Sequence, residues 1–356
     1  YILYQIIPVL FIVLFSLHNY YFEDKVLIKE YVPFIYGKKE GSLSIIMAYF
    51  FSNLSYVGGA TIFTFFLIYP FVLRRKNLLL FLASLLASAI LSILLYKTSA
   101  SFASGQYSLF QSLMFFIFVL ASIFFVLIIL AENYSNTKSF LLNLLKIKKL
   151  KYDAGALFIF AWFLAMFAVN SGISGGAVRY NTLLLPPLVL SYFSILNKYK
   201  NEFNLNFILH GAVISTLIIG ILTAHADYEL ADTYRDFTQK IAAKYKTSTN
   251  TIYYTGSLGF QYYMTENGYT MLMQNDNTPK KGDYVIRARL PSPRKISDGL
   301  MQRLKLADTV KYYGTVPIRI QNPEAHAGFY TFGGGFLPYS VSRAKLEKFD
   351  VYYVHR

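Results

Sequence analysis

Apolar positions fall in long unbroken runs up to Ala224 and in short, interrupted ones beyond it. A bilayer core of about 30 Å takes roughly 20 apolar residues as helix. Leu109–Ala131 (LFQSLMFFIFVLASIFFVLIILA) meets that length without a single charge. Tyr1–Leu17, Ser44–Leu73, Leu78–Tyr96, Gly155–Asn170, Thr182–Leu196 and Phe207–Ala224 repeat the pattern, so about seven spans are predicted. The fifth and sixth are short, which leaves a deep or re-entrant arrangement open there.

After the last run the pattern changes period. TNTIYYTG and KKGDYVIRA alternate as strands do, and SLGFQYYMTENG between them has helical spacing and a glycine stop. SDGLMQRLKLADTVKYYG predicts a capped amphipathic helix, and TVPIRIQ a further strand. The expected fold is therefore a membrane α-helical bundle over residues 1–225, followed by a small α/β extracytoplasmic domain over residues 226–356. The stretch Asp24–Lys39, mixing charge with Val, Leu, Ile, Tyr and Phe, reads as a segment lying along the interface.

Composition agrees with this solvent. Of the 356 residues 55% are hydrophobic and only 15% charged, against about 25% charged in soluble domains. The net charge of +15 raises nucleic acid as a partner, but the basic residues are scattered or sit beside apolar runs, and no compact basic domain forms. Nucleic acid is therefore excluded. Cysteine is absent, which rules out disulfides and thiolate chemistry. Tyr1–Leu17 lacks an initiator Met, a basic leader and a cleavage site, so the chain is expected to begin inside a longer protein.

Lys and Arg in short loops orient the bundle. Arg74, Arg75 and Lys76, the group Lys138–Lys151, and Lys198 with Lys200 fall on one side. The other side carries Arg179, and a loop whose Lys25, Lys29, Lys38 and Lys39 are balanced by Glu23, Asp24, Glu30 and Glu40. The first set is read as cytoplasmic, which places the chain in the cytoplasmic (inner) membrane with its C-terminal part outside.

Several polar positions carry candidate chemistry. Arg179 follows SGISGG and precedes Tyr180 and Asn181. A forked, permanent cation there suits a phosphate at headgroup level, and it equally suits an arginine reaching for lipid headgroups. His225 with Asp227 marks a polar cluster where the last run ends, and Glu23–Asp24 is an adjacent acidic pair at a loop start. The five histidines have no metal-ligand spacing, so no cofactor is called for and a divalent metal stays open. GSLGF at Gly256–Phe260 reads as a tight strand-to-helix turn. The loop GFYTFGGGFLP at Gly328–Pro338 is either a surface turn or a cover over the mouth of the membrane domain.

SGGAVRYNTLLLPPLVL (Ser174–Leu190) resembles the arginine–tyrosine, leucine/proline stretch of bacterial family 39-type membrane glycosyltransferases. AHADYELADTYRDFTQKI, IYYTGSLGFQYYMTENG, NPEAHAGFYTFGGGFLPYSVSR and LSYVGGATIFTFFLIYPFVLRR are similar to further segments of that family, in the same order. The resemblance implies a GT-C-type enzyme that takes a sugar from a polyprenyl-phosphate carrier and gives it to a protein, lipid or glycan acceptor outside the membrane. It implies donor-phosphate contacts at Arg179 and Tyr180. It also implies that the family's acidic motif lies upstream of the matched residues, so that Glu23 and Asp24 are stand-in candidates and the catalytic carboxylate is expected to be missing from this chain. Two other classes remain in view: a transporter for lipid-linked sugars, which calls for broken helices at the midplane and a repeat, and a non-catalytic membrane protein with an outer binding domain.

Overall fold

The computed structural model describes residues 42–66, 75–98, 107–145, 151–172, 177–199, 201, 205–247, 250–273, 276–291, 294–330 and 332–356. The first predicted span, the interfacial stretch Asp24–Lys39 and the Glu23–Asp24 pair lie outside the described residues. Among the described residues six helices build the bundle: α1 (Ser42–Ala60), α2 (Arg75–Thr98), α3 (Leu109–Leu144), α4 (Ala154–Gly172), α5 (Leu185–Lys198) and α6 (Leu205–Asp236). Four segments among the described residues are long and apolar enough to cross a membrane: Asn77–Leu95, Leu109–Leu144, Ala154–Ser171 and Asn206–Lys240. The chain is a multi-pass helical membrane protein by this measure, with fewer spans than the seven expected.

Both shortfalls within the described residues have a local cause. The apolar run Ser44–Leu73 is not one helix: α1 ends at Ala60, and a 3-10 turn follows at Ile62–Thr64. The helix itself buries Ser52, Asn53 and Ser55. The run Thr182–Leu196 begins as a 3-10 segment, Val178–Leu184, and becomes α-helical only at Leu185. Pro186 and Pro187 then occupy the first turn of α5, where a missing N–H costs nothing. The 14 residues of α5 reach about 21 Å at 1.5 Å per residue, short of a bilayer core.

Surface chemistry on the spans is inverted relative to a soluble protein. Leu79, Leu82, Leu86 and Ile93 of α2 and Phe207, Val213, Leu217 and Ile221 of α6 are exposed. Ser84 and Ser88 of α2 are buried and donate to the carbonyls of Leu80 and Ser84 at 2.8 and 2.7 Å. Apolar side chains face outward over whole helix faces, as contact with lipid requires.

Beyond the bundle come β1 (Ile252–Thr255), β2 (Thr270–Met271), β3 (Tyr284–Ala288), β4 (Leu304–Tyr312), four two-residue strands β5 (Ile318–Arg319), β6 (Gln321–Asn322), β7 (Ala327–Gly328) and β8 (Ser340–Val341), and β9 (Glu347–Val354). The main sheet has the order β2-β1-β3-β9-β4. Its first two pairings are parallel and its last two antiparallel. Helix α7 (Leu258–Glu266) links β1 to β2. The predicted amphipathic helix is a correction: only α8 (Asp298–Met301) forms behind the Ser297 cap, and LKLADTVKY becomes β4. Alternating apolar positions there pair with β9, and a register shift between Leu306 and Asp308 hides the period of two.

The two regions share a helix and a core. At 32 residues, α6 is about 48 Å long, so it continues past the apolar run. Its later residues Leu230 and Tyr234, with Phe237 just beyond, pack with Tyr254, Ile286 and Phe349 of the sheet. The Phe237 and Phe349 rings stack with centroids 3.8 Å apart. A second core joins Leu54, Phe115 and Phe118 of the bundle to Ile318, Ile320, Phe336 and Leu337.

The sheet region therefore caps one end of the bundle, the end carrying Tyr56, Tyr107 and Val178. The Lys198–Glu132 ion pair marks the other end, about 35 Å along α3 from its start.

Candidate functional site

The junction between bundle and cap is built around four residues, Tyr56-Val57-Gly58-Gly59. A Cβ on Gly58 would lie 1.8 Å from the Phe118 carbonyl oxygen, so α1 and α3 touch backbone to backbone there. A Cβ on Gly59 would lie 2.5 Å from Pro338 Cγ. The Tyr56 hydroxyl donates to Gly335 O at 3.0 Å, and the Phe336 N–H donates to the Tyr107 hydroxyl at 2.9 Å. Gly335 itself has φ +135°, and a Cβ would meet His326 backbone atoms at 2.2 Å. The His326 ring stacks on Tyr107 at 3.8 Å. Of the two readings for Gly328–Pro338, the structure carries the second: the loop packs down onto the bundle.

The segment bearing Arg179 and Tyr180 meets the same loop. Val178 N–H donates to Phe329 O at 3.0 Å, which ties the 3-10 segment Val178–Leu184 to the cap. Tyr180 is exposed at the surface. Beneath it lies a polar layer: Asn170 Nδ2 donates to Asn181 Oδ1 at 2.8 Å and to Tyr180 O at 3.2 Å. Asn53 Nδ2 donates to Ser171 Oγ at 2.8 Å. Asn53 Oδ1, Ser55 Oγ and Asn181 Nδ2 are buried without a partner. Each such orphan costs on the order of 1–3 kcal/mol.

His225 and Asp227 do not meet. Two residues apart on α6, they leave the helix on different faces. The Asp227 carboxylate accepts from the Tyr330 hydroxyl at 2.7 Å. His225 Nε2 lies 3.1 Å from Thr315 Oγ1 and 3.7 Å from Glu229 Oε1. Glu229 also accepts from Thr315 N–H at 2.7 Å and from its hydroxyl at 2.6 Å. Arg319, buried nearby, donates to the carbonyls of Ala344, Val316 and Ile318 at 2.6–2.8 Å. Burial pulls its guanidinium below the usual arginine range, and Glu229 pushes it back up. A cleft of about 390 Å³ opens beside these groups, lined by Tyr313, Thr315, Arg319 and Arg343 among others. Glu229 is a polar residue the sequence reading missed, although its i+4 spacing from His225 was visible.

A buried carboxylate, Glu347, fastens α6 to the sheet. Glu347 accepts from the N–H groups of Arg289, Leu290 and Lys348 at 2.8–3.2 Å and from the Tyr234 hydroxyl at 3.1 Å. Burial lifts its carboxyl from 4.5 to about 7, against the pull of those donors. Because the folded state holds this proton more tightly than the unfolded chain, its contribution to stability is full below pH 4.5 and is lost as pH rises to about 7. The loss amounts to about 3 kcal/mol. Glu347→Gln keeps an acceptor for the backbone donors and turns its amide toward Tyr234. In denaturation of the full chain at pH 5 and pH 8, the variant is expected to lack the drop that the wild type shows over that interval. Equal pH slopes would disprove it.

Among the described residues no group of three or more His, Cys, Asp or Glu is placed to hold a metal ion. Comparison with protein-family models, with curated proteins and with solved structures finds no match to this chain.

Proposed function

We propose that this protein is an integral membrane glycosyltransferase that moves a sugar from a polyprenyl-phosphate carrier to a protein, lipid or glycan acceptor on the capped side. The observation that carries the reading is the clamp at the cap junction, where Val178 N–H bonds Phe329 O and ties the Arg179 segment to the loop Gly328–Pro338. A lipid-borne donor presents its reactive carbon at headgroup level, so its charged contacts gather at a bundle end rather than at the midplane. The polar layer of Asn53, Asn170, Ser171 and Asn181 gathers at that end too.

In the reaction an acceptor hydroxyl oxygen bonds to the anomeric carbon as the carbon–oxygen bond to the phosphate breaks. The phosphate leaves with the electron pair, and a base takes the hydroxyl proton. Arg179 and Tyr180 act as donors to the leaving phosphate, while His225 and Asp227 form polar flanks of the acceptor path. With membranes holding the natural protein expressed from its whole gene, so that the acidic motif the resemblance implies is included, and a carrier labelled in its sugar, label is expected to move to an acceptor with release of polyprenyl phosphate. Label that crosses the bilayer still attached to its lipid would select the transporter instead.

Sidedness follows from charge. Arg75 and Lys76 open α2, Lys151 precedes α4 and Lys198 ends α5, all at the end away from the cap, and such residues favour the cytoplasm. The chain has no cysteine, so single cysteines can be labelled cleanly. Lys281→Cys in the cap should react with an impermeant maleimide in intact cells, and Lys151→Cys only after permeabilisation. The reverse pattern would invert the topology.

A further inference from the structure

One face of the cap sheet holds an arrangement that the donor reading does not use. Register places Lys311 of β4 directly opposite Lys348 of β9. On the far side of Lys348, Arg289 N–H bonds the Lys348 carbonyl at 3.2 Å. Three cations therefore stand in one row across neighbouring strands. The next row sets Arg287 opposite Asp350, with Thr309 beyond. Like charges directly opposite on a sheet are destabilising, and a sequence free to vary has no structural reason to line up three of them.

Charge compensation from within the cleft is incomplete. It measures about 450 Å³ and is lined by Arg287, Arg289, Lys311, Lys345 and Lys348, with Glu324 and Asp350 as its carboxylates. Glu324 is shared by Arg289 and Lys345. Asp350 takes Lys348 at 3.0 Å and the Thr309 hydroxyl at 2.8 Å. Five cations against two carboxylates leave a surplus of three, and Arg287 and Lys311 are the exposed ones. Burial pushes the Glu324 carboxyl up, but Lys345 and Arg289 outweigh it and hold it below the usual range, so it does not contribute neutral bulk at physiological pH.

The rim of this cleft reaches the lipid-facing helices. Gln111 Nε2, in the first turn of α3, donates to Glu324 O at 3.5 Å. The adjoining Leu109 and Phe110 are exposed apolar residues, Leu109 at 87%. A cleft with a surplus of cations beside the first turn of a span stands at the level of the lipid headgroups, where a phosphate can reach it.

We propose that this cleft is an anion site for a phosphate-bearing headgroup at the membrane surface, separate from the donor phosphate contacts at Arg179. The Arg287 fork and the Lys311 ammonium, outside the ion pairs made with Glu324 and Asp350, suit a phosphate in charge and geometry. The proposal stands apart from the transferase reading, since its test reads binding and needs no sugar transfer.

The full chain in zwitterionic phosphatidylcholine nanodiscs is titrated by calorimetry with dihexanoyl phosphatidic acid and, separately, with inorganic pyrophosphate. Arg287→Gln/Lys311→Gln is compared with wild type, because both side chains are exposed and their loss leaves the core intact. Exposed Lys281→Gln, outside the cleft, serves as control. Phosphatidic acid is expected to bind wild type and the control alike, and the double variant at least 10-fold more weakly. Raising salt from 50 to 300 mM should weaken wild-type binding more than that of the double variant. Binding of pyrophosphate without phosphatidic acid would keep the anion site but overturn the membrane source. Equal affinities for wild type and double variant, or no binding of either probe, would overturn the site.

Discussion

Gly58→Ala is expected to destabilise the full chain by more than about 3 kcal/mol, whereas Gly59→Ala one residue later costs clearly less. The contrast comes from what each new Cβ meets. At Gly58 it would lie 1.8 Å from the Phe118 carbonyl oxygen and 2.7 Å from the carbonyl carbon. Backbone in the middle of a helix cannot rotate away, so α1 and α3 must part by more than an ångström. At Gly59 the nearest atoms are Pro338 Cγ at 2.5 Å and Phe118 Cδ2 at 2.8 Å, both side-chain atoms with some freedom to yield. Overpacking of a tight contact ordinarily costs about 1–3 kcal/mol, and separating two helices also opens the core shared by Phe118, Leu54 and Leu337. Denaturation in detergent micelles, followed by tyrosine fluorescence, measures both variants. A Gly58→Ala protein as stable as wild type would mean that the helices do not touch there.

The GG pair shows what the sequence could and could not convey. Long apolar runs such as Leu109–Ala131 were legible as spans because nothing but lipid or a core accepts them. That Ser44–Leu73 breaks at Thr61, and that Thr182–Leu196 starts as a 3-10 turn, depends on Val57, Tyr192 and Leu184 packing into one cluster, which no local pattern announces. In the cap, β1, α7 and β3 were read correctly from alternation and a glycine stop. β4 was not, since the shift at Leu306–Asp308 breaks its period and Ser297 caps only one helical turn.

The polar sites divide in the same way. Arg179 and His225 stand out beside apolar sequence, so they were visible. The partners of His225, Thr315 at 90 residues' separation and Glu229 one turn away, acquire meaning only once α6 runs on into the cap. The row Lys311, Lys348 and Arg289 exists only in the register of three strands, and no linear reading assembles it.

Within the transferase reading the largest functional effect belongs to Arg179. Arg179→Ala in the proposed enzyme is expected to lower kcat/KM for the polyprenyl-phosphate donor by about 10- to 100-fold, the equivalent of one lost charge-assisted contact at about 1.5–3 kcal/mol. Arg179→Lys should recover only part of that, because an ammonium replaces a two-pronged guanidinium. Tyr180→Phe, which removes one hydroxyl donor, should cost less than either. The alternative role, an arginine anchoring its segment among headgroups, predicts a different pattern. Lysine reaches headgroups as well as arginine does, so Arg179→Lys would behave as wild type, and Arg179→Ala would lose insertion or stability rather than donor turnover. Measuring donor kcat/KM alongside unfolding for all three variants separates the two. Unchanged turnover in Arg179→Ala, in a protein that folds and inserts normally, removes the phosphate role from this residue and with it the clamp's claim to mark the donor site.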